Sequence, residues 1–400
     1  MAGCSLAYHL AAAGTSDVLV LERGELTGGS TFHSAGLVGQ LRASEALTRL
    51  HMRSAAIYAR LGAETGRDPG WRPVGSLRLA SSPERRRELE RQARRGRALG
   101  LPVEVISARE ACERFPLMSP EGVEAALWLP TDGRVDPASL AHAFAAGARR
   151  RGVRFRTGVA VRAVRTQRDR VVAVATDEGE VACEIVVDAA GIWAAEVGRL
   201  AGVMVPVVPL VHQYVITRPF GVGRDLPVLR DPDHRVYFRE EVGGLLVGGF
   251  ERAPQAWGLD GIPADFVHRL LPPDWEQFDP LLQGALRRVP ALADVEVIAM
   301  IRGPEAFTPD GEFVLGEAAR PRGFFVAAGF CAHGIAGAGG VGEAMAAWIL
   351  EGRPPLDLGA MDIRRFGPEA ADRDWAVARA RHTYGTYYDV RLGEEAPARR

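Results

Sequence analysis

The run Asp17-Val18-Leu19-Val20-Leu21-Glu22 constrains the fold more than any other stretch. A short apolar strand ending in an acidic residue is where a dinucleotide fold grips the ribose of a cofactor's AMP half. A loop of small residues follows, Gly28-Gly29-Ser30-Thr31-Phe32-His33-Ser34-Ala35-Gly36-Leu37, with one imidazole in it.

The segment before that strand is incomplete for such a unit. Residues 4–13 read as a helix stopped by Gly14. A dinucleotide-binding helix follows a first strand and a G-x-G-x-x-G turn, and only Gly3 is present to serve that turn. The first strand is central in such a sheet, and its loss unpairs two ladders of backbone groups. The expectation is therefore a start site placed downstream of the true one. The alternative is a shortened chain with impaired cofactor binding.

Composition narrows the partners. The chain has 400 residues, 47% hydrophobic and 25% charged, with a formal net charge of −1. That balance gives no support to nucleic-acid or membrane-surface binding, which usually needs a basic excess. All 49 basic side chains are Arg, which fits a coding bias better than a function. The four Cys are far apart and form no C-x-x-C pair, so neither a disulfide framework nor a metal site is expected. There is no apolar run of about 18 residues and no signal-peptide pattern, making the cytoplasm the expected compartment.

Further along, periodicity predicts helices over 44–65, 82–99, 137–150, 263–287 and 339–351. Strands are expected at 75–80, 153–156, 159–165, 171–176, 206–217, 235–250, 294–302 and 324–328. Glu184 to Trp193 reads as a buried parallel strand running into Ala189-Ala190-Gly191. The segment 302–310, rich in turn residues, reads as structural punctuation. Arg302 within it is one candidate fork for a carboxylate.

Two other segments carry candidate chemistry. On the strand Val211-His212-Gln213-Tyr214, His212 and Tyr214 share a face and Gln213 takes the other. His212 is either a hydrogen-bonded core imidazole or a base poised near neutrality. Tyr237 is either a packing aromatic or part of a substrate pocket. Near the carboxyl end, Phe324 to Ile335 leads through Gly329, His333 and Gly334 into a Gly-rich helix start. Such a junction presents amide groups to an electron-rich atom.

Taken in order, these segments resemble the sarcosine dehydrogenase and dimethylglycine dehydrogenase family. The likeness covers Gly3 to about residue 390. The stretches 35–42, 303–310 and 362–366 look closer to sarcosine dehydrogenase. The resemblance implies the FAD-binding amine oxidoreductase fold of the D-amino-acid oxidase type: an α/β dinucleotide fold, here lacking its first strand, with a discontinuous antiparallel-sheet substrate domain. It implies an FAD-binding domain over 1–70, 135–203 and 303–353, a substrate domain over 71–134 and 204–302, and a carboxyl-terminal extension over 354–400. Cofactor contacts would fall to Gly3, Glu22, Arg23, Ser30, Thr31, His33, Ala35, Gly36, Leu37, Val161, Ala190, Gly191, Trp193, Gly329, His333, Gly334 and Ile335. His33 would carry FAD covalently, and His212 and Tyr237 would act on substrate.

The implied reaction is oxidative demethylation of sarcosine or a similar N-methylglycine, giving glycine and formaldehyde. Electrons would pass to an electron-transfer flavoprotein or to oxygen. The larger members continue past Tyr384-Gly385-Thr386-Tyr387-Tyr388 into a folate-binding domain; this chain stops at Arg400, so none is expected and a separate folate-dependent protein is a candidate partner. Dimethylglycine, another secondary amine acid or a D-amino acid stays open as substrate. So does a non-catalytic regulatory scaffold.

Overall fold

In a computed structural model, which describes residues 1–391, the chain opens directly into the helix Ala2–Ala12. That helix is buried on nearly every side, including Leu6, Ala7, Tyr8 and Leu10. Its small residues admit the late helix Gly334–Glu351 at very short range. A Cβ at Gly342 would sit 2.2 Å from Ser5 Oγ, and one at Gly340 only 2.1 Å from the Leu50 carbonyl oxygen. Leu50 belongs to the helix Glu45–Thr65, so three helices meet on a face of glycines. The sequence reading began the late helix at 339; it begins at Gly334. Its glycines form a packing face rather than a loop, and burial offsets the roughly 1 kcal/mol each costs in a helix.

Side-chain caps set most of the other helix starts. Ser44 Oγ accepts from the Leu47 amide at 3.2 Å, and Asp136 accepts from the Ser139 amide at 2.6 Å ahead of Pro137. Each such cap is worth ~1 kcal/mol.

Leu19–Glu22 pairs in parallel with Arg154–Thr157, and Val186–Asp188 pairs in parallel with Phe324–Ala328. Among the described residues, Leu19–Glu22 and Val186–Asp188 each have a partner on one side only. A separate eight-stranded sheet runs in the order Val297–Phe307, Val208–Thr217, Gly244–Gly249, Val236–Glu241, Val228–Asp231, Ser76–Ala80, Ala125–Leu129, Glu104–Ile106. It joins strands from 76–129 with strands from 208–307. Another, antiparallel sheet holds Val161–Gln167, Arg170–Thr176 and Gly179–Ala182. No helix among the described residues is long and apolar enough to cross a membrane.

Three expectations need correction. The helix expected over 263–287 is confined to Trp275–Arg288. Pro272 and Pro273 lack amide donors and bar helical geometry ahead of them; Asp274 then caps the helix by accepting from the Gln277 amide at 3.0 Å. The stretch 235–250 is a hairpin of two strands, turned at Val242 and Gly243 with φ of 49° and 80°, as a two-residue hairpin turn requires. The supposed punctuation after Arg302 is strand as far as Phe307. Pro304 is tolerated there because the strand is at the sheet edge.

Gly340→Ala is expected to destabilise the protein by about 1–3 kcal/mol, because the Leu50 carbonyl cannot retreat without moving its helix. Chemical denaturation of the variant beside the parent chain measures this.

Candidate active site

A cavity of about 2080 Å³ runs past Leu19–Glu22 and Val186–Asp188 to the eight-stranded sheet. It exceeds the roughly 300–1,000 Å³ of an ordinary small-molecule pocket. Every site residue singled out in the sequence lines it except His33, Gly329 and Arg302.

At one end Glu22 closes its strand, with Oε1 accepting from the Gly24 amide at 2.9 Å. Arg23 donates to the Ala264 carbonyl at 2.9 Å and lies 4.7 Å over the Trp193 ring. Asp188, at the end of its strand, accepts from the Ala190 amide at 3.1 Å, and its Oδ2 has no partner. Burial pushes the Asp188 carboxyl up to about 8.

His33 is buried in the wall beside the cavity. A Cβ at Gly303 would fall 2.7 Å from its Nε2, so the ring lies flat against that backbone. Nε2 has no hydrogen-bond partner, and burial pushes the imidazole down to about 4. Gly329 turns the chain out of Phe324–Ala328 at φ 64°, where a Cβ would meet Thr308 Cγ2 at 2.5 Å. Its role in the turn explains its distance from the cavity.

At the other end, the sheet supplies His212 and Tyr237. His212 Nε2 is 2.8 Å from the Tyr237 hydroxyl and Nδ1 is 2.8 Å from that of Tyr384. Burial, helped by His33, pushes His212 down to about 3. His333, at the start of the glycine helix, bonds the Tyr387 hydroxyl through Nε2 at 2.7 Å.

Arg42 and Arg230 also line this end, both buried. Arg42 Nε donates to His51 Nδ1 at 2.7 Å. Its two terminal nitrogens, and all three of Arg230, have no protein acceptor among the described residues. The carboxylate whose charge reaches both is Asp132, which is occupied by Ser76 Oγ at 2.6 Å and the Gln40 amide at 2.8 Å. Burial pushes Asp132 up and Arg42 down to about 10.

Arg302 does not serve this cavity. Its guanidinium is committed to Gln255 Oε1 at 2.6 Å and the Pro272 carbonyl at 3.2 Å. Arg42, Arg230 and Tyr384 went unassigned in the sequence. Arg42 had one usable signal, its place just after the small-residue loop. Arg230 had none, because only strand register brings it alongside Tyr237.

The fold and cavity together define a flavoprotein class: the sequence matches the FAD dependent oxidoreductase family over residues 1–348 and the FAD dependent oxidoreductase central domain over 351–398, and the chain belongs to that family. Among its relatives, it is 37% identical to mitochondrial sarcosine dehydrogenase of Mus musculus over 99% of this chain and 44% of that protein. It is 38% identical to mitochondrial dimethylglycine dehydrogenase of Rattus norvegicus over 96% of this chain and 46% of that one. The chain thus spans less than half the length of these relatives. The L-proline dehydrogenase of P. horikoshii superposes with a TM-score of 0.82 at 28% identity, covering 91% of this chain and 95% of that one.

The residues present fit FAD. Glu22 has one oxygen without a protein partner beside the cavity. A Cβ at Gly29 would meet Trp193 at 3.0 Å, so the loop backbone can run close to the cavity only without a side chain there. His33 keeps an unpartnered ring nitrogen in the adjoining wall.

Asp188 gives a test of this electrostatic picture. Its folded pKa of about 8 lies above the ordinary 3.8 of such a carboxyl, so the protonated carboxyl favours the fold fully at low pH. That advantage is lost as pH rises toward 8. Asp188→Asn is expected to gain stability relative to the parent over this interval; denaturation of both proteins at a series of pH values measures it.

Proposed function

We propose that this chain binds FAD and oxidises an N-methyl amino acid, with sarcosine the leading substrate. The observation that carries the substrate class is the pair of buried guanidiniums, Arg42 and Arg230, at the cavity with no carboxylate hydrogen-bonded to either among the described residues. Leaving buried charge unpaired is costly, and an amino-acid carboxylate supplies the missing partner in fork geometry.

Glu22 would hold the ribose of FAD, Gly3 and Gly29 would let backbone approach it, and His33 would form the covalent tether. An imidazole held neutral is a competent nucleophile at its free nitrogen. Bound FAD supplies a two-electron acceptor. The protein's own contribution is positioning. Arg42 and Arg230 fix the carboxylate, and the neutral His212–Tyr237 pair meets the amine. The expected products are glycine and formaldehyde. An electron-transfer flavoprotein or oxygen would take the electrons, and a separate folate-dependent protein would accept the one-carbon unit.

An anaerobic absorbance spectrum before and after sarcosine tests the reading. Bleaching of the oxidised flavin band supports it. A band that ignores sarcosine and bleaches with dimethylglycine moves the substrate, and no flavin band in the purified chain overturns the proposal. Arg230→Met is expected to weaken sarcosine binding about tenfold to a hundredfold, by loss of charge-assisted hydrogen bonds; KM from steady-state kinetics checks this. In His33→Ala, denaturation in acid should release flavin into the supernatant, whereas the parent pellet stays yellow.

A further inference from the structure

Behind the cavity, four side chains from four segments form one unbroken line of hydrogen bonds. Tyr237 meets His212 Nε2 at 2.8 Å, and His212 Nδ1 meets the Tyr384 hydroxyl at 2.8 Å. The Tyr384 hydroxyl donates to Glu251 Oε2. Gln213 Nε2 holds the other Glu251 oxygen at 3.3 Å. Tyr237 and His212 line the cavity; Tyr384 and Glu251 do not.

The polarity of this line follows from its far end. A carboxylate only accepts, so the Tyr384 O–H points at Glu251. The Tyr384 oxygen must then accept from His212, which puts the imidazole hydrogen on Nδ1. Nε2 is left with its lone pair and accepts from the Tyr237 O–H. Each bond hands a hydrogen one step further from the cavity. A lone pair of the Tyr237 oxygen stays available to whatever the cavity holds.

We propose that Glu251 is the terminal acceptor for the proton of the substrate ammonium, reached through Tyr237, His212 and Tyr384. This rests on the amine reading above. An N–H bond of the substrate ammonium breaks and the proton joins the Tyr237 oxygen. The Tyr237 hydroxyl proton moves to His212 Nε2, the Nδ1 proton to the Tyr384 oxygen, and the Tyr384 proton to Glu251. An ammonium and a carboxylate become a neutral amine and a carboxylic acid, and no electrons are transferred. Only the neutral amine offers the lone pair that oxidation at the adjacent carbon requires.

The intermediate groups cannot keep the proton. Burial pushes His212 down to about 3, and both tyrosines well above their ordinary values. Glu251, pushed up to about 7 by burial, is the member able to hold a proton near neutrality. It is faced by Tyr384 from the last helix, by Gln213, and by Arg302 and Glu305 from the edge strand. Arg302 is committed to Gln255 and Pro272. Glu305, likewise near 7, lines the cavity itself and is the rival acceptor. Glu251 and Tyr384 act through other side chains and are positioning residues.

The experiment is the anaerobic rate of flavin reduction by sarcosine against pH in the full chain, with Glu251→Gln, Tyr384→Phe and Glu305→Gln compared. The parent rate should fall on the acid side with an apparent pKa near 7. In Glu251→Gln the rate at neutral pH should drop roughly a hundredfold, as loss of a general base does. The remaining rate should follow the ammonium's own ionisation at higher pH. Tyr384→Phe cuts the line while keeping the carboxyl, should behave likewise, and carries the test if Glu251→Gln fails to fold. An infrared titration of the protein without substrate gives a readout independent of turnover: Glu251→Gln should remove one protonated-carboxyl band that titrates near neutrality. An unchanged pH profile in both Glu251→Gln and Tyr384→Phe overturns the proposal. So does an acid limb that disappears in Glu305→Gln instead. If no N-methyl amine reduces the flavin, the substrate reading fails, and retention of every carboxyl band in Glu251→Gln would separately remove the relay.

Discussion

The contact between the glycine face of Gly334–Glu351 and the helices Ala2–Ala12 and Glu45–Thr65 governs the rest of the molecule. Backbone meets backbone there, with room for no Cβ at Gly340. That closeness fixes where the late helix begins, and with it His333 and the turn out of Phe324–Ala328. The same contact settles the first helix beside Val186–Asp188 and the loop that carries His33. Cofactor-side residues separated by some 300 positions are thus gathered by the close fit of three helices, pinned by Ser5 Oγ donating to the Ala338 carbonyl at 2.8 Å and the Gly340 amide donating to Ser54 Oγ at 2.8 Å.

Desolvation does the second half of the work. Six imidazoles, His9, His33, His51, His142, His212 and His333, are held below their ordinary pKa by burial. Buried carboxyls at Asp188, Glu251 and Glu305 are held above theirs. Both shifts remove charge from the interior near neutral pH. Against that background the guanidiniums of Arg42 and Arg230 stand out, since Arg keeps its charge where burial moves imidazoles and carboxyls toward their neutral forms.

Legibility in the sequence followed the range of the interactions. The Glu22 strand, the capped helices starting after Ser44, Ser82 and Asp136, and the strand 324–328 rest on local patterns and could be read. His212 and Tyr237 were found because each sits on a strand with period-two spacing, and the structure brings them within hydrogen-bond distance. The misreadings came from residues whose meaning depends on distant partners. The sequence pattern puts Gly334 and Gly337 ahead of the late helix, which in fact takes them in because two other helices pack on its glycine face. Pro304 looked like a turn until the strand proved to be an edge. Arg302 looked free until Gln255 and Pro272 claimed it. Arg230, Glu251 and Tyr384 carried no local mark, because strand register and the docking of a late helix bring them to the site.

Tyr384 lies on Arg373–Gly385, among the last of the described residues to be synthesised. Until that helix docks, Glu251 and His212 lack their bridging hydroxyl and the aromatic packing that shuts out water. A nascent chain therefore completes its dinucleotide strands, of which Phe324–Ala328 comes last, before it completes the end of the cavity where substrate chemistry is placed. Assembly of the site waits on that helix, and a partly made chain can gather the elements for a cofactor while still unable to do chemistry with it.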